Sequence, residues 1–194
     1  MLKFENVSFS YGDQKILSNL SFSLARGEIL ALTAPSGEGK STVLNLIAGL
    51  RKPSGGRIEC NAQKIAYAFQ EPRLFPWLTV EENLAAVLPK NANRAPIAHA
   101  LDTVELLEAA NLYPAELSGG MKSRASLARA LVYGADLLLL DEPFAALDRD
   151  LRSRLAARLR TDCKARGITV ILVTHQAEDL QALADRVLKL DCIE

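Results

Sequence analysis

The stretch that decides the fold is Ala34-Pro35-Ser36-Gly37-Glu38-Gly39-Lys40-Ser41, which Thr42 follows. A short apolar segment, Glu28–Thr33, precedes it and is predicted to be a strand. The segment after it, Val43–Leu50, has the periodicity of an amphipathic helix. A glycine-rich loop that ends in Lys-Ser between a strand and a helix is the pattern of a phosphate-binding P-loop.

The residue types of this loop suit a triphosphate. Glycine lets backbone amides approach phosphate oxygens, and the positive end of the following helix favours the anion. Lys40 would reach the β- and γ-phosphates, and the Ser41 hydroxyl would bind Mg²⁺. Ala34 stands where the pattern has its first glycine, which costs about 1 kcal/mol if that position needs positive φ. We expect the nucleotide to be held by Ser36, Gly37, Glu38, Gly39, Lys40, Ser41 and Thr42; the alternative is a glycine-rich turn with a surface lysine.

A second site follows the apolar segment Leu137–Leu140, which ends in Asp141-Glu142-Pro143. A strand that ends in two carboxylates places them at the carboxyl edge of a sheet, where ligands bind in open α/β folds. Asp141 would hold Mg²⁺, and Glu142 would act as general base toward an attacking water. Alone, such a strand end is more often structural; with the P-loop upstream, it indicates ATP hydrolysis.

A third segment, Leu117-Ser118-Gly119-Gly120-Met121, precedes a predicted helix. Ser118 is a typical N-cap residue, and the two glycine amides after it form a second phosphate-binding helix start. One small domain does not need two such sites for one triphosphate. We therefore predict that this segment binds a nucleotide held by a partner subunit.

The bulk properties narrow the class of protein. The 23 basic and 23 acidic residues balance, so charge gives no argument for a nucleic-acid partner. No apolar run approaches the roughly 20 residues that span a bilayer, and the N-terminus alternates like a strand rather than a signal peptide. We expect a cytoplasmic protein, in which Cys60, Cys163 and Cys192 are free structural thiols.

The order of patterns predicts an α/β fold. We expect a P-loop NTPase core with a mostly parallel sheet, an antiparallel β part at the N-terminus and an inserted helical subdomain. The chain would form one domain over residues 1–194, in which 1–70 and 131–194 build the β part and the core. Residues 71–130 would build the helical subdomain. Thr79 and Glu82 form a capping-box pattern within it, and the spacing from Ile97 to Leu107 predicts a second amphipathic helix.

With these motifs in place, the chain resembles the ATPases of ABC transporters along nearly its whole length. LSGGM is similar to that family's signature LSGGQ, with Met121 in place of glutamine. Ala146-Leu147-Asp148 resembles the family's loop at the dimer interface, and Ala145 stands where a serine often precedes it. The resemblance implies two subunits that sandwich ATP between the P-loop of one and Ser118, Gly119 and Gly120 of the other.

The resemblance also implies roles for three further side chains. Tyr11 would stack on adenine. Gln70, in AFQEP, would contact Mg²⁺ and the attacking water and link to the membrane subunit. His175 would sense the γ-phosphate, so that Glu142, His175 and Gln70 form the catalytic set and Ser41, Gln70 and Asp141 the metal set. Taken singly, these would be an edge-strand tyrosine, a solvated loop glutamine and a structural histidine; His99 has no such context and is predicted to lie on the surface.

The block from Phe69 to Leu84 is similar to the ATPases of bacterial importers for nitrate, sulfonates and taurine. This implies a peripheral protein on the cytoplasmic face of the inner membrane, with transmembrane permease subunits as partners and a solute-binding protein as an indirect one. A homodimer is feasible, although a different second ATPase stays open. Phe75, Trp77 and Leu78 would be core residues of the insertion or would line a groove for the permease.

Two other functions remain open from sequence. The first is a soluble ABC-type ATPase that is not coupled to transport; the long coiled coil or second cassette of such proteins is missing. The second is a P-loop small-molecule kinase, which would not need the LSGG segment. Capture of a permease, as opposed to phosphorylation of an added acceptor, would separate them.

Overall fold

The computed structural model of the chain describes residues 1–35 and 37–190, so the predictions for Ser36 and Cys192 fall outside the described residues. Eight strands and six helices follow one another in the described part of the chain. Their order is β1 (Leu2–Tyr11), β2 (Gln14–Leu24), β3 (Ile29–Thr33), α1 (Lys40–Ile47), β4 (Gly55–Cys60), β5 (Ile65–Ala68), α2 (Val80–Ala85), α3 (Ala95–Thr103), α4 (Gly119–Val132), β6 (Leu137–Asp141), α5 (Arg149–Arg166), β7 (Thr169–Val173), α6 (Ala177–Leu183) and β8 (Arg186–Lys189).

Five strands form a parallel sheet in the order β5-β6-β7-β3-β8. Every residue of β6 and β7 is buried, as expected when helices or a second sheet cover both faces of a parallel sheet. Successive side chains alternate between two apolar cores. Leu138 packs in the core with α4 and α5, whereas Leu139 packs in the core with α1 and the second sheet.

The second sheet is antiparallel, with the order β2-β1-β4. Its apolar side chains, among them Phe4, Val7 and Phe9, are buried against α1. The predicted α/β class, with a mostly parallel sheet and an N-terminal antiparallel part, is therefore confirmed.

The helices α2, α3 and α4 lie between β5 and β6, where the sequence predicts the helical subdomain. Their apolar residues share one core with the sheet and α5, so the division at 71 and 130 stays a prediction. The second amphipathic helix is shorter than its periodicity suggests. It ends at Thr103, and Leu107 instead begins a 3₁₀ turn and is 48% exposed, because the chain turns through Glu105 at a φ of 54°.

Asn83, on α2, fixes the loop that leads into this helix. The side chain is fully buried, and its amide nitrogen donates to the carbonyls of Phe75, Leu78 and Thr79 at 3.1, 3.0 and 2.9 Å. Its oxygen accepts from the Phe75 amide at 2.8 Å. The predicted capping box of Thr79 and Glu82 starts the same helix. One side chain thus contacts four backbone groups of an irregular segment. Its amide nitrogen shares two hydrogens among the three carbonyls, and those of Phe75 and Thr79 also accept from backbone amides.

We predict that Asn83→Ala lowers the free energy of unfolding by roughly 2–4 kcal/mol, because it leaves buried backbone groups without partners. Urea denaturation measures the change. Glu81→Ala, on the same helix at a side chain that is 39% exposed, is the control and should change stability by less than about 0.5 kcal/mol. Equal stabilities for the two variants would contradict this function of Asn83.

Candidate functional site

The order of the parallel sheet brings the predicted residues to one edge. The strands β5, β6, β7 and β3 are consecutive neighbours, and all four run in the same direction. Gln70 follows β5, Asp141 and Glu142 end β6, His175 follows β7, and the P-loop follows β3. Segments that are distant in sequence therefore meet at the carboxyl edge, where ligands bind in such sheets.

A cavity of about 340 Å³ lies at this edge. An adjoining cavity of about 430 Å³ shares Ser41, Gln70 and Asp141 with it and extends toward Arg51 and Arg73. The smaller cavity is lined by Gly37, Gly39, Lys40, Ser41, Thr42, Gln70, Asp141 and Glu142. Eight of the predicted site residues thus surround one space.

The P-loop residues within the described range have the geometry of a phosphate cradle. Lys40 is buried, and its ammonium group donates to the carbonyls of Ala34 and Pro35, both at 2.7 Å. Gly39 has a φ of 82°, and a β-carbon there would come within 2.9 Å of the Ile16 side chain. Glycine is therefore required at this helix start. Ala34 does not have positive φ, so the cost considered for alanine at that position does not arise.

Asp141 has the properties of a cation ligand. Its side chain is buried, and its Oδ1 atom has no hydrogen-bond partner within the protein. Burial raises the pKa of Asp141 above its ordinary value, the neighbouring Glu142 raises it further, and Ser41, Tyr67 and Lys40 act in the opposite direction. An unpartnered buried carboxylate oxygen is costly unless a cation binds it, and oxygen donors such as Asp141 and Ser41 suit Mg²⁺.

The described residues do not form a metal site by themselves. No group of three or more His, Cys, Asp or Glu side chains in the described part of the chain could hold a metal ion. Mg²⁺ is usually held by one or two carboxylates together with substrate phosphates, so a Mg²⁺ ion at Asp141 would share its ligands between the protein and a nucleotide. The residues that fit it are Asp141, the Ser41 hydroxyl and Gln70.

Glu142 and His175 form a pair across β6 and β7. The backbone amide of Glu142 donates to the carbonyl of Val173 at 2.9 Å, and its φ is 49°. Oε1 of Glu142 lies 3.2 Å from Nδ1 of His175, and the side-chain amide nitrogen of Gln176 lies 2.8 Å from Nε2. Because that amide can only donate, the network assigns the ring proton to Nδ1. The positive φ of Glu142, a strained conformation for a side chain of this type, turns it toward His175.

Tyr11 lies beside the larger cavity, whereas Gln70 lines both cavities. Tyr11 ends β1, is 44% exposed and contacts Phe9 edge to face with ring centroids 4.8 Å apart. The Arg51 guanidinium, which also lines the larger cavity, lies 5.6 Å from the Tyr11 ring centroid. An exposed aromatic ring beside the cavity is available for stacking on a nucleobase.

The residues that start α4 line neither of these two cavities. Ser118 is the N-cap, as predicted, and its hydroxyl oxygen accepts from the Met121 amide at 3.2 Å. A β-carbon on Gly119 would meet no atom within 4 Å, whereas one on Gly120 would come within 3.0 Å of the Ala146 carbonyl. Gly119 is thus open to an outside ligand, and Gly120 is small because the Ala146–Asp148 loop packs against it.

Two contacts of the site were not predicted from sequence. The Tyr67 hydroxyl donates to Oδ2 of Asp141 at 3.4 Å, and Gln176 contacts His175. Tyr67 lies on β5 and its ring stacks on Phe69, so its strand pattern indicates a packing side chain rather than a partner of Asp141. Only the position of Gln176 beside His175 could have drawn attention to it.

Comparison with known proteins agrees with this geometry. The ABC transporter family matches over residues 17–145. The aliphatic sulfonates import ATP-binding protein SsuB of Granulibacter bethesdensis is 42% identical over 191 residues, which cover 98% of this chain and 80% of that protein. SsuB of Bacillus licheniformis is 42% identical over 181 residues, covering 89% of this chain and 71% of that protein.

Solved structures show the same architecture. A dimeric ATP-binding cassette in a post-hydrolysis state with ADP and phosphate has a TM-score of 0.88 and 30% identity, covering 98% of this chain and 94% of that chain. A bacterial ABC exporter with ATP bound also has a TM-score of 0.88, at 29% identity, covering 98% of this chain and 37% of that chain. The fold is thus shared with a dimeric ATP-binding cassette and with an exporter. Since the family match spans residues 17–145 and the sequence relatives cover nearly the whole chain, the chain belongs to the ABC transporter family, as an ATPase with the P-loop fold.

Proposed function

We propose that the chain is the ATP-hydrolysing subunit of a bacterial importer for aliphatic sulfonates and works as one half of a dimer. The observation that carries this proposal is the division of phosphate-binding groups between two surfaces. The P-loop, Asp141 and Glu142 surround one cavity, whereas Ser118 and Gly119 are exposed and do not line it. A second copy of the chain would bring its Ser118 and Gly119 to the phosphate that the first copy holds.

The roles of the residues follow from their positions. The nucleotide phosphates would lie along Gly37, Gly39 and Lys40, with Ser41 and Thr42 at the helix start. Bound Mg²⁺ would neutralise charge on the β- and γ-phosphates. Glu142 would take the proton of the attacking water, and His175 would hold the Glu142 carboxylate in place at Nδ1.

The structure leaves an apolar surface for a membrane partner. Phe75 is 41% and Trp77 is 70% exposed, so neither is a core residue of the helical segment. Arg129 holds this loop by donating to the carbonyls of Pro72 and Arg73 at 3.0 and 2.9 Å. Exposed aromatic side chains on a fixed loop are typical of an interface, and we assign them to a transmembrane permease subunit.

The proposed location at the membrane depends on the permease subunit. None of the helices in the described part of the chain combines the length and apolar character needed to cross a bilayer. The membrane contact would therefore be made through the permease, at the cytoplasmic face. The solute class comes from the relatives named for aliphatic sulfonate import, since an ATPase does not itself contact the solute.

A reconstitution experiment tests the proposed function. The chain is combined in liposomes with the permease subunits of an aliphatic sulfonate importer and its binding protein. We expect ATP-dependent uptake of an alkanesulfonate, and no uptake of nitrate when the chain is combined instead with the permease and binding protein of a nitrate importer. Uptake with the nitrate permease but not with the sulfonate permease would overturn the sulfonate assignment, and failure to bind any importer permease would favour an ATPase that is not coupled to transport.

Lys40→Ala should weaken MgATP binding by about 10²-fold, because it removes the main side-chain cation on the β- and γ-phosphates. Isothermal calorimetry measures the affinity. Lys52→Ala, at an exposed lysine after α1, is the control and should bind like the parent. Unchanged affinity in Lys40→Ala would contradict nucleotide binding by the P-loop.

Glu142→Gln keeps the shape of the side chain but removes the base. We expect turnover to fall by roughly 10²-fold or more while MgATP affinity is kept. Glu108→Gln, which makes the same change at an exposed position, should leave turnover unchanged. Near-parental hydrolysis by Glu142→Gln would assign the base to another group.

Ser118→Arg tests the contribution of the second subunit. The arginine fills the space in front of the α4 start, so the variant should bind ATP through its own P-loop but lose hydrolysis. Asn111→Arg, at an exposed position before α4, is the control.

Mixing gives the sharper result. A dimer of Ser118→Arg with Lys40→Ala has one site that carries both lesions and one that carries neither. Partial ATPase activity should therefore return on mixing. Parental hydrolysis by Ser118→Arg alone would show instead that each chain works by itself.

A further inference from the structure

A buried polar network connects the Ala146–Asp148 loop with the segment that carries His175. It begins at Arg152, in the first turn of α5, whose side chain is only 12% exposed. Its Nη2 atom donates to the carbonyl of Leu147 at 2.9 Å. Its Nε atom lies 4.0 Å from Oδ1 of Asp179, an α6 residue whose side chain is 2% exposed.

The network continues from Asp179 to both neighbours of His175. Oδ2 of Asp179 accepts from the Thr174 hydroxyl at 2.8 Å, and Thr174 is itself 2% exposed. The Thr174 hydroxyl oxygen then accepts from the backbone amide of Gln176 at 3.1 Å. The Thr174 hydroxyl thus links the Gln176 backbone amide, on the far side of His175, to the carboxylate that Arg152 faces.

This arrangement is more than packing requires. Burying a guanidinium and a carboxylate is unfavourable, and an apolar pair of similar volume is often as stable. What the charged pair adds is direction. The Arg152 guanidinium attracts the Asp179 carboxylate across 4.0 Å, and hydrogen bonds join each charged group to its other neighbour. Here Arg152 is fixed to the Leu147 carbonyl, and Asp179 is fixed to the hydroxyl of Thr174, the residue before His175.

We propose that Arg152 is a positioning residue that sets the orientation of the His175 ring through Asp179 and Thr174. The Ala146–Asp148 loop packs against Gly120, next to the surface assigned to the second subunit. A shift of this loop on subunit docking would therefore reach His175 through Arg152. This consequence for hydrolysis rests on the proposed function, whereas the orientation of the ring in the free chain does not.

The histidine content of the chain makes the orientation measurable. The sequence has two histidines, His99 and His175, so a nuclear magnetic resonance spectrum of isotope-labelled histidine contains two rings. His99→Gln identifies the ring of His99, which is an exposed partner of Asp162. In the parent chain without nucleotide, we expect His175 to carry its proton on Nδ1.

Arg152→Met removes the guanidinium and keeps an apolar stem. We expect the ring signals of His175 to move and those of His99 to stay. Arg154→Met, two residues further along α5 at a side chain that is 56% exposed and pairs with Glu105 at 3.2 Å, should move neither ring. An unmoved His175 ring in folded Arg152→Met overturns the proposal.

A second, smaller substitution keeps the proposal testable if Arg152→Met does not fold. Thr174→Val keeps the shape of the side chain and removes only the hydroxyl that joins Asp179 to Gln176, so it should move the same His175 signals. Arg152→Lys, which keeps the charge but not the fork of donors, should give an intermediate shift. His175 signals identical to the parent in Thr174→Val would also overturn the proposal.

The kinetic arm asks whether Arg152 acts through His175. We expect Arg152→Met to lower kcat by roughly 10- to 10²-fold with unchanged ATP affinity, and to add nothing in a His175→Ala background. Losses that multiply in the double variant would overturn this route. Absence of ATP hydrolysis by the parent chain would overturn the proposed function. The spectra recorded without nucleotide would still test whether Arg152 sets the orientation of the His175 ring.

Discussion

The parallel pairing of β5, β6, β7 and β3 is the constraint on which the site depends. Neighbouring parallel strands end at the same edge, so four segments that are far apart in sequence bring their first loop residues together. Burial on both faces fixes the register, because a slip by one residue would exchange the two apolar cores. Gln70, Asp141, Glu142, His175 and the P-loop are therefore placed by the sheet.

The same edge combines groups that are unfavourable without a ligand. The buried Asp141 has an oxygen without a partner, its pKa is raised by burial, and Glu142 is held in a strained conformation. The Lys40 ammonium meanwhile uses loop carbonyls as temporary acceptors. A polyanion with its cation would provide partners for Lys40 and Asp141 together. These locally unfavourable groups are therefore consistent with a ligand-binding site.

Much of this could be predicted from sequence because the informative patterns are local. A P-loop, an apolar strand that ends in Asp-Glu, and a serine before two glycines each specify their own backbone. Contacts between segments that are distant in sequence could not be predicted. Two such contacts are the packing of Gly120 on the Ala146 carbonyl and the network from Arg152 to Thr174, which depend on how the elements pack in three dimensions. Leu107 lies outside the helix that its periodicity predicts, because the chain turns at Glu105.

The central claim is that ATP binds between two copies of the chain. The most direct measurement is sedimentation equilibrium of the Glu142→Gln variant with labelled MgATP, which gives the mass and the bound nucleotide together. We expect a particle of twice the 21.1 kDa monomer mass, with one nucleotide per chain, that dissociates when ATP is removed. A monomer of 21.1 kDa that is saturated with ATP at every protein concentration would contradict it.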